Sequence, residues 1–142
     1  MIKLSDAHTA FRAYLLTLER TTGKKFFPQA GQIMYAPSLE QELIKNPQGA
    51  INKIGFFIQG NGGYEFAVYK MALQCLLTYP ECANDADYIT ALAHADDFVA
   101  IVNNLDISGV GLLTRSNGPS PIPNMGVLGI RIDFSITTIS GE

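Results

Sequence analysis

The sequence predicts an α+β fold, an antiparallel sheet of about four main strands with two helices packed on one face. Three observations carry this. Residues 128–137 alternate without a break, Leu128, Ile130, Ile132, Phe134 and Ile136 against Gly129, Arg131, Asp133, Ser135 and Thr137, which is the two-residue period of a strand with one dry and one wet face. Two other stretches, near residue 10 and near residue 95, repeat apolar residues at threes and fours, the period of a helix face. Between them, Gly60-Asn61-Gly62-Gly63 follows an alternating run and has the composition of a hairpin turn. Burying the five apolar side chains of 128–137 is worth about 8–15 kcal/mol as an upper bound. That is comparable to the net stability of a whole domain, so the remaining chain has to cover this face.

The 142 residues suit one domain, residues 1–142. With 47% hydrophobic and 16% charged residues, the chain is too apolar for disorder and too lightly charged for a coiled coil. The net charge is −3 and the ten Lys and Arg are scattered, which argues against nucleic-acid recognition. The start, Met1-Ile2-Lys3-Leu4-Ser5-Asp6, turns polar too soon for a signal peptide, and no run reaches the ~20 apolar residues of a membrane helix. Cys75 and Cys82 have neither zinc nor redox spacing and are expected to be reduced thiols.

In chain order, Ser5 or Asp6 can cap a helix over 6–21, with Ala7, Phe11, Tyr14, Leu15 and Leu18 on its apolar face and Gly23 as its stop. Phe26-Phe27 precede Pro28 and are expected to plug one end of the core. A short strand at 32–35 is followed by Ser38 and Gln41 in capping-box spacing, predicting a helix over 39–45 that Asn46-Pro47 ends. Residues 54–59 read as a strand, the turn follows at 60–63, and 64–76 return as its partner. That return arm also fits helical spacing through Phe66, Tyr69, Leu73 and Leu76, but a glycine-rich turn after a strand favours a strand. Asn84 or Asp85 caps a helix over 85–104 whose stripe is Tyr88, Leu92, Ala95, Val99 and Val102, joined by Ile89, Ala91 and Phe98. Residues 107–114 read as a strand. The turn-formers Asn117-Gly118-Pro119-Ser120-Pro121-Ile122-Pro123-Asn124 then predict a long loop over 115–125. Arg115, Asn117, Pro119, Pro121, Ile122 and Pro123 are its candidate interface residues. The tail 140–142 is expected to be loose.

Catalytic and metal motifs are not found. His8 and His94 are the only histidines and have no ligand partners at metal spacing. His94 and Asp97 are an i, i+3 pair that could act as an acid–base couple, although such a pair is more often a surface contact. Asp96 and Asp97 diverge on a helix and suit solvent better than one shared ion. Gly60-Asn61-Gly62-Gly63 lacks the Lys-Ser/Thr of a phosphate loop, and Cys75 sits among apolar neighbours like a structural thiol. The chain is therefore read as non-enzymatic, without cofactor or metal. A site assembled from distant residues would need a pocket where His94 or the acids converge.

The helix from Ser5, the Phe26-Phe27 pair, the hairpin across Asn61-Gly62, the helix from Asp85 and the strand from Leu128 to Thr138 together resemble the tail terminator, or minor tail, proteins of long-tailed bacteriophages and prophages. The resemblance covers nearly the whole chain but lies in element order, not in a motif, and the segment 36–50 and the proline-rich stretch depart from it. It implies a structural subunit that forms a homo-oligomeric ring, in this family usually a hexamer, at the end of the tail tube. Its partners would be tail tube and head-completion proteins, its place the bacterial cytoplasm during assembly and the virion tail thereafter. The alternative is a small protein-binding module, of adaptor or immunity type, that uses the 115–125 loop.

Overall fold

The computed structural model describes residues 3–65, 68–124 and 127–139. These residues form three α-helices, α1 (Leu4–Thr17), α2 (Ala36–Lys45) and α3 (Asp85–Val102). The strands are β1 (Ile33–Tyr35), β2 (Ile54–Glu65), β3 (Val68–Pro80), β4 (Asp106–Ile107), β5 (Gly111–Asn124) and β6 (Val127–Ile139). They form one curled half-barrel sheet in the order β1-β2-β3-β6-β5-β4. This corrects the expected four-strand antiparallel sheet with two helices. The sheet has six strands and is mixed, because β1 runs parallel to β2 while the other neighbours are antiparallel. A parallel pair needs a crossover, and the 36–50 segment supplies it with α2.

The alternation of 128–137 is the centre of the sheet. Leu128, Ile130, Ile132, Phe134 and Ile136 are buried, while Arg131, Ser135 and Thr137 are exposed. On β3, Leu77, Cys75, Leu73 and Met71 stand opposite Ile130, Ile132, Phe134 and Ile136 and are buried with them. The strand reading of the return arm is thus correct, displaced to 68–80. Helices α1 and α3 cover this face. Phe11 packs edge-on against Phe56 of β2 at 5.1 Å, and Phe98 against Phe134 at 6.4 Å. Arg12 ties α1 to the sheet by donating to the Ile33 carbonyl at 2.8 Å.

Helix α2 lies on the other face. Gly55 points away from its buried neighbours Ile54 and Phe56, and a Cβ there would come within 2.9 Å of Leu39 and 3.1 Å of the Ala36 backbone. Absence of a side chain is what lets α2 lie so close. On the rest of that face Lys70, Arg131, Ser135, Thr137 and Thr114 are exposed, while Phe57, Ala72, Gln74, Leu76 and Asp133 are half-buried.

Several boundaries differ from expectation for identifiable reasons. Helix α1 ends at Thr17, not 21, because Leu18 turns into the core and the chain doubles back. The Phe26 N–H donates to the Leu18 carbonyl at 3.1 Å, with Gly23 at φ +88° in the reversal. Neither Ser5 nor Asp6 caps α1; Lys3 occupies that position. Helix α2 starts at Ala36 with Pro37 in its first turn, so Ser38 is already helical and is not the N-cap. In α3, Asn84 is the cap, accepting from the Asp87 N–H at 3.0 Å. Its buried line is Ala91, Ala95, Phe98 and Val102, with Ile89 63% exposed, so the helix is rotated from the predicted stripe. Strand β2 runs through the expected turn at 60–63 to Glu65, and the reversal lies beyond the described residues, as does the tail 140–142. The predicted 115–125 loop is instead strand β5, paired with β6 to Asn124. Prolines are tolerated there because β4 reaches only Gly111 and Leu112 and the 103–105 segment bonds only as far as Arg115, leaving the later part of β5 as a sheet edge among the described residues.

The two faces predict unequal responses to truncation. Ile132→Ala should lower the unfolding free energy by about 2–5 kcal/mol, while Thr137→Ala on the wet face should stay within about 0.5 kcal/mol. Urea denaturation of the two variants checks this.

Candidate functional site

A cleft of about 600 Å³ opens where the end of β3, the first turns of α3, the reversal after α1 and the 50–53 turn meet. The alternation of β3 places Tyr79 on the core-facing side, toward α3, and Thr78 on the opposite side. The Thr78 hydroxyl is buried. It donates to the Ala50 carbonyl at 2.5 Å and accepts from the Lys53 N–H at 3.0 Å, fixing the turn that carries Asn52 and Lys53 into the cleft wall. Phe26 and Phe27 form the apolar wall, both buried as the sequence suggested.

At the inner end, the Tyr79 hydroxyl and His94 Nδ1 are 2.6 Å apart. The tautomer in which the phenol donates carries its ring proton on Nε2. Phe26 meets His94 edge-on at 4.9 Å. Burial, and after it the Arg20 charge, lower the His94 pKa to about 4, with Asp97 opposing them. Burial likewise pushes the Tyr79 phenol well above its usual value. Both groups are neutral near pH 7, and their hydrogen bond joins an uncharged pair. Arg20 lies beside them, its Nε donating to Asp97 Oδ2 at 3.0 Å and its guanidinium 5.8 Å from the Phe26 ring centre. The arrangement offers neutral donors and acceptors beside a fixed guanidinium, against an aromatic wall.

The expected His94–Asp97 couple is not formed. Asp97 turns to Arg20 and also accepts from Thr21 Oγ1 at 3.4 Å, while His94 turns to Tyr79. Asp96 is exposed, diverging from Asp97 as helix geometry requires. His8 stacks on Phe56 at 4.6 Å, and burial followed by the Arg12 charge lowers its pKa. Cys75 is buried among apolar residues and its thiol pKa is raised strongly by burial and then by Asp133. Cys82 and Cys75 are both free thiols. Among the described residues no cluster of His, Cys, Asp and Glu is arranged to hold a metal ion, and no helix is long and apolar enough to cross a membrane.

The six candidate interface residues lie together on β5. Arg115, Asn117, Pro121, Ile122 and Pro123 stand opposite Phe134, Asp133, Ile130, Gly129 and Leu128 of β6, and Pro119 falls in the irregular step between Asn117 and Ser120. Arg115 donates to the Gly118 carbonyl at 2.6 Å, and its own N–H donates to Asn103 Oδ1 at 2.8 Å. Comparison of the chain with family models, with curated proteins and with solved structures finds no match.

His94 makes stability pH-dependent. Its folded pKa lies below the unfolded value of 6.5, so as pH falls the unfolded chain takes up the proton first. Stability is fully present above about pH 6.5 and declines toward pH 4. Partial exposure of the ring should hold the loss to about 1–2 kcal/mol. Melting curves from pH 7.5 to 4 should show this decline, and His94→Gln should reduce it to the part that His8, also lowered, contributes.

Proposed function

We propose that this protein is a structural subunit of a phage or prophage tail, a completion or terminator protein that works as a homo-oligomeric ring. The observation that carries the reading is the long, half-curled sheet with one face largely uncovered. Helices α1 and α3 occupy the dry face, while on the other face α2 covers the corner at Gly55 and the 50–53 turn covers Thr78. Across the remaining wet face, Leu112 and Ile122 of β5 are 43% and 46% exposed, and they frame the Arg131–Asp133 pair of β6. A wide surface that mixes apolar contacts with charges suits contacts between copies better than contact with a small molecule. The reading also draws on the resemblance of the sequence to tail terminators, from which β1, α2 and β4 depart. Ring closure requires two different surfaces of each copy to meet head to tail. The wet face and the helical side are such a pair.

The cleft supports a second reading, a small-ligand site, because Tyr79, His94 and Arg20 converge inside a volume of ligand size. The structural reading is preferred because the cleft's polar groups largely satisfy one another. His94 is bonded to Tyr79, and Arg20 to Asp97.

Light scattering coupled to size exclusion at micromolar concentration should give a particle several times the 15.4 kDa protomer. Ile122→Glu should reduce that mass while leaving the circular dichroism unchanged. A strict monomer at all concentrations, together with normal tails after deletion of the gene, would overturn the reading.

A further inference from the structure

The outer edge of β5 carries three prolines at alternate positions, Pro119, Pro121 and Pro123. From Ser120 to Asn124 the ladder to β6 is continuous, Ser120 facing Arg131, Pro121 facing Ile130, Ile122 facing Gly129, Pro123 facing Leu128 and Asn124 facing Val127. In an antiparallel ladder, opposed residues alternate between pairs that exchange both backbone hydrogen bonds and pairs that exchange none, whose N–H and C=O groups point away. Proline has no N–H and cannot belong to an exchanging pair. Pro121 and Pro123 therefore occupy the outward-pointing positions, and Ser120, Ile122 and Asn124 make the bonds to β6. Because β4 pairs only with Gly111 and Leu112, the outward groups of 119–124 have no strand beside them among the described residues. That edge thus presents carbonyl oxygens at 121 and 123 and no amide at either, and Pro119 removes another N–H at the irregular step.

We propose that Pro119, Pro121 and Pro123 close the β5 edge of the sheet to strand addition by a second copy of this chain. An added strand must both donate to and accept from the edge it joins. Here its N–H groups would find carbonyls, but its own carbonyls would find no N–H at 121 or 123. The far edge of the sheet is broken in another way. Beyond the reach of β1, which ends opposite Phe56, strand β2 loses its register with β3 between Gly60 and Tyr64. Irregular pairing of this kind twists an edge away from a flat partner. Copies that associate must then meet through side chains, and growth into a continuous sheet is blocked. The argument rests on the ladder and not on the viral reading.

The test restores the two amides with Pro121→Thr/Pro123→Thr. Threonine suits strands and adds little apolar surface, so any gained association comes from the backbone. Two results are expected. In dilute variant protein, the new amides of residues 121 and 123 should exchange with deuterium within about tenfold of the unprotected rate, since they point outward. With rising concentration, sedimentation velocity should show the variant forming species larger than any that wild type forms. Amides protected by more than about a hundredfold in dilute protein would mean that they bond to β6, and would overturn the proposal. So would a variant that sediments like wild type at every concentration. If circular dichroism shows that the double variant does not fold, Pro121→Thr and Pro123→Thr are read singly by the same two measurements. The mass of wild type tests the ring and the difference between variant and wild type tests the edge, so the two can fail separately.

Discussion

The pairing of β3 with β6 is the constraint on which the rest of the molecule depends. The two strands keep one register from Val68 opposite Ile139 to Pro80 opposite Val127, without a bulge. Within that ladder, Leu73, Cys75 and Leu77 share a dry face with Phe134, Ile132 and Ile130. Both helices of the dry side pack on it, and both outer hairpin strands extend from it. Removing water from this face is the main favourable term available to a chain of this composition. The backbone bonds of the ladder satisfy polar groups that would otherwise be buried unpaired.

Much of this was legible in the residues. Alternation in 128–137 identified the central strand and its dry face correctly, because a period of two has no competing reading over ten residues. Helices α1 and α3 were legible from their spacing, although the orientation of α3 was not. Ile89 and Ala91 both fit an apolar stripe, and only the bulk of Phe98 against Phe134 decides which of them faces inward. The parallel strand β1 and the placement of α2 were not legible. They depend on Gly55 lying beneath Leu39, a contact between segments that no local pattern announces. The proline-rich stretch was misread for a physical reason. Proline argues against strand only where its N–H is needed, and on an edge the positions facing outward do not need it.

The cleft was the least legible part. Phe26 and Phe27 were expected in the core and are there, yet Tyr79 falls between the predicted strand 64–76 and the predicted helix 85–104, where no role was assigned. Its partner His94 had been set beside Asp97. The true pairing crosses from strand to helix, and Arg20 reaches Asp97 over 77 positions of sequence. Spacing along one helix identifies which side chains are neighbours on it, and not which of them turns to another element. The buried tyrosine–histidine bond is therefore a product of tertiary packing.

Thr78 and Tyr79 hold the two sides of the cleft from opposite faces of one strand. Thr78 anchors the 50–53 turn and Tyr79 engages the α3 helix. Sliding β3 by one residue against its neighbours would exchange the faces, sending the phenol to water and the hydroxyl into the apolar interior. Neither wall could then form. The cleft is thus a readout of strand alignment: it exists only in chains whose central ladder has closed in its proper step, and misaligned chains lack it altogether.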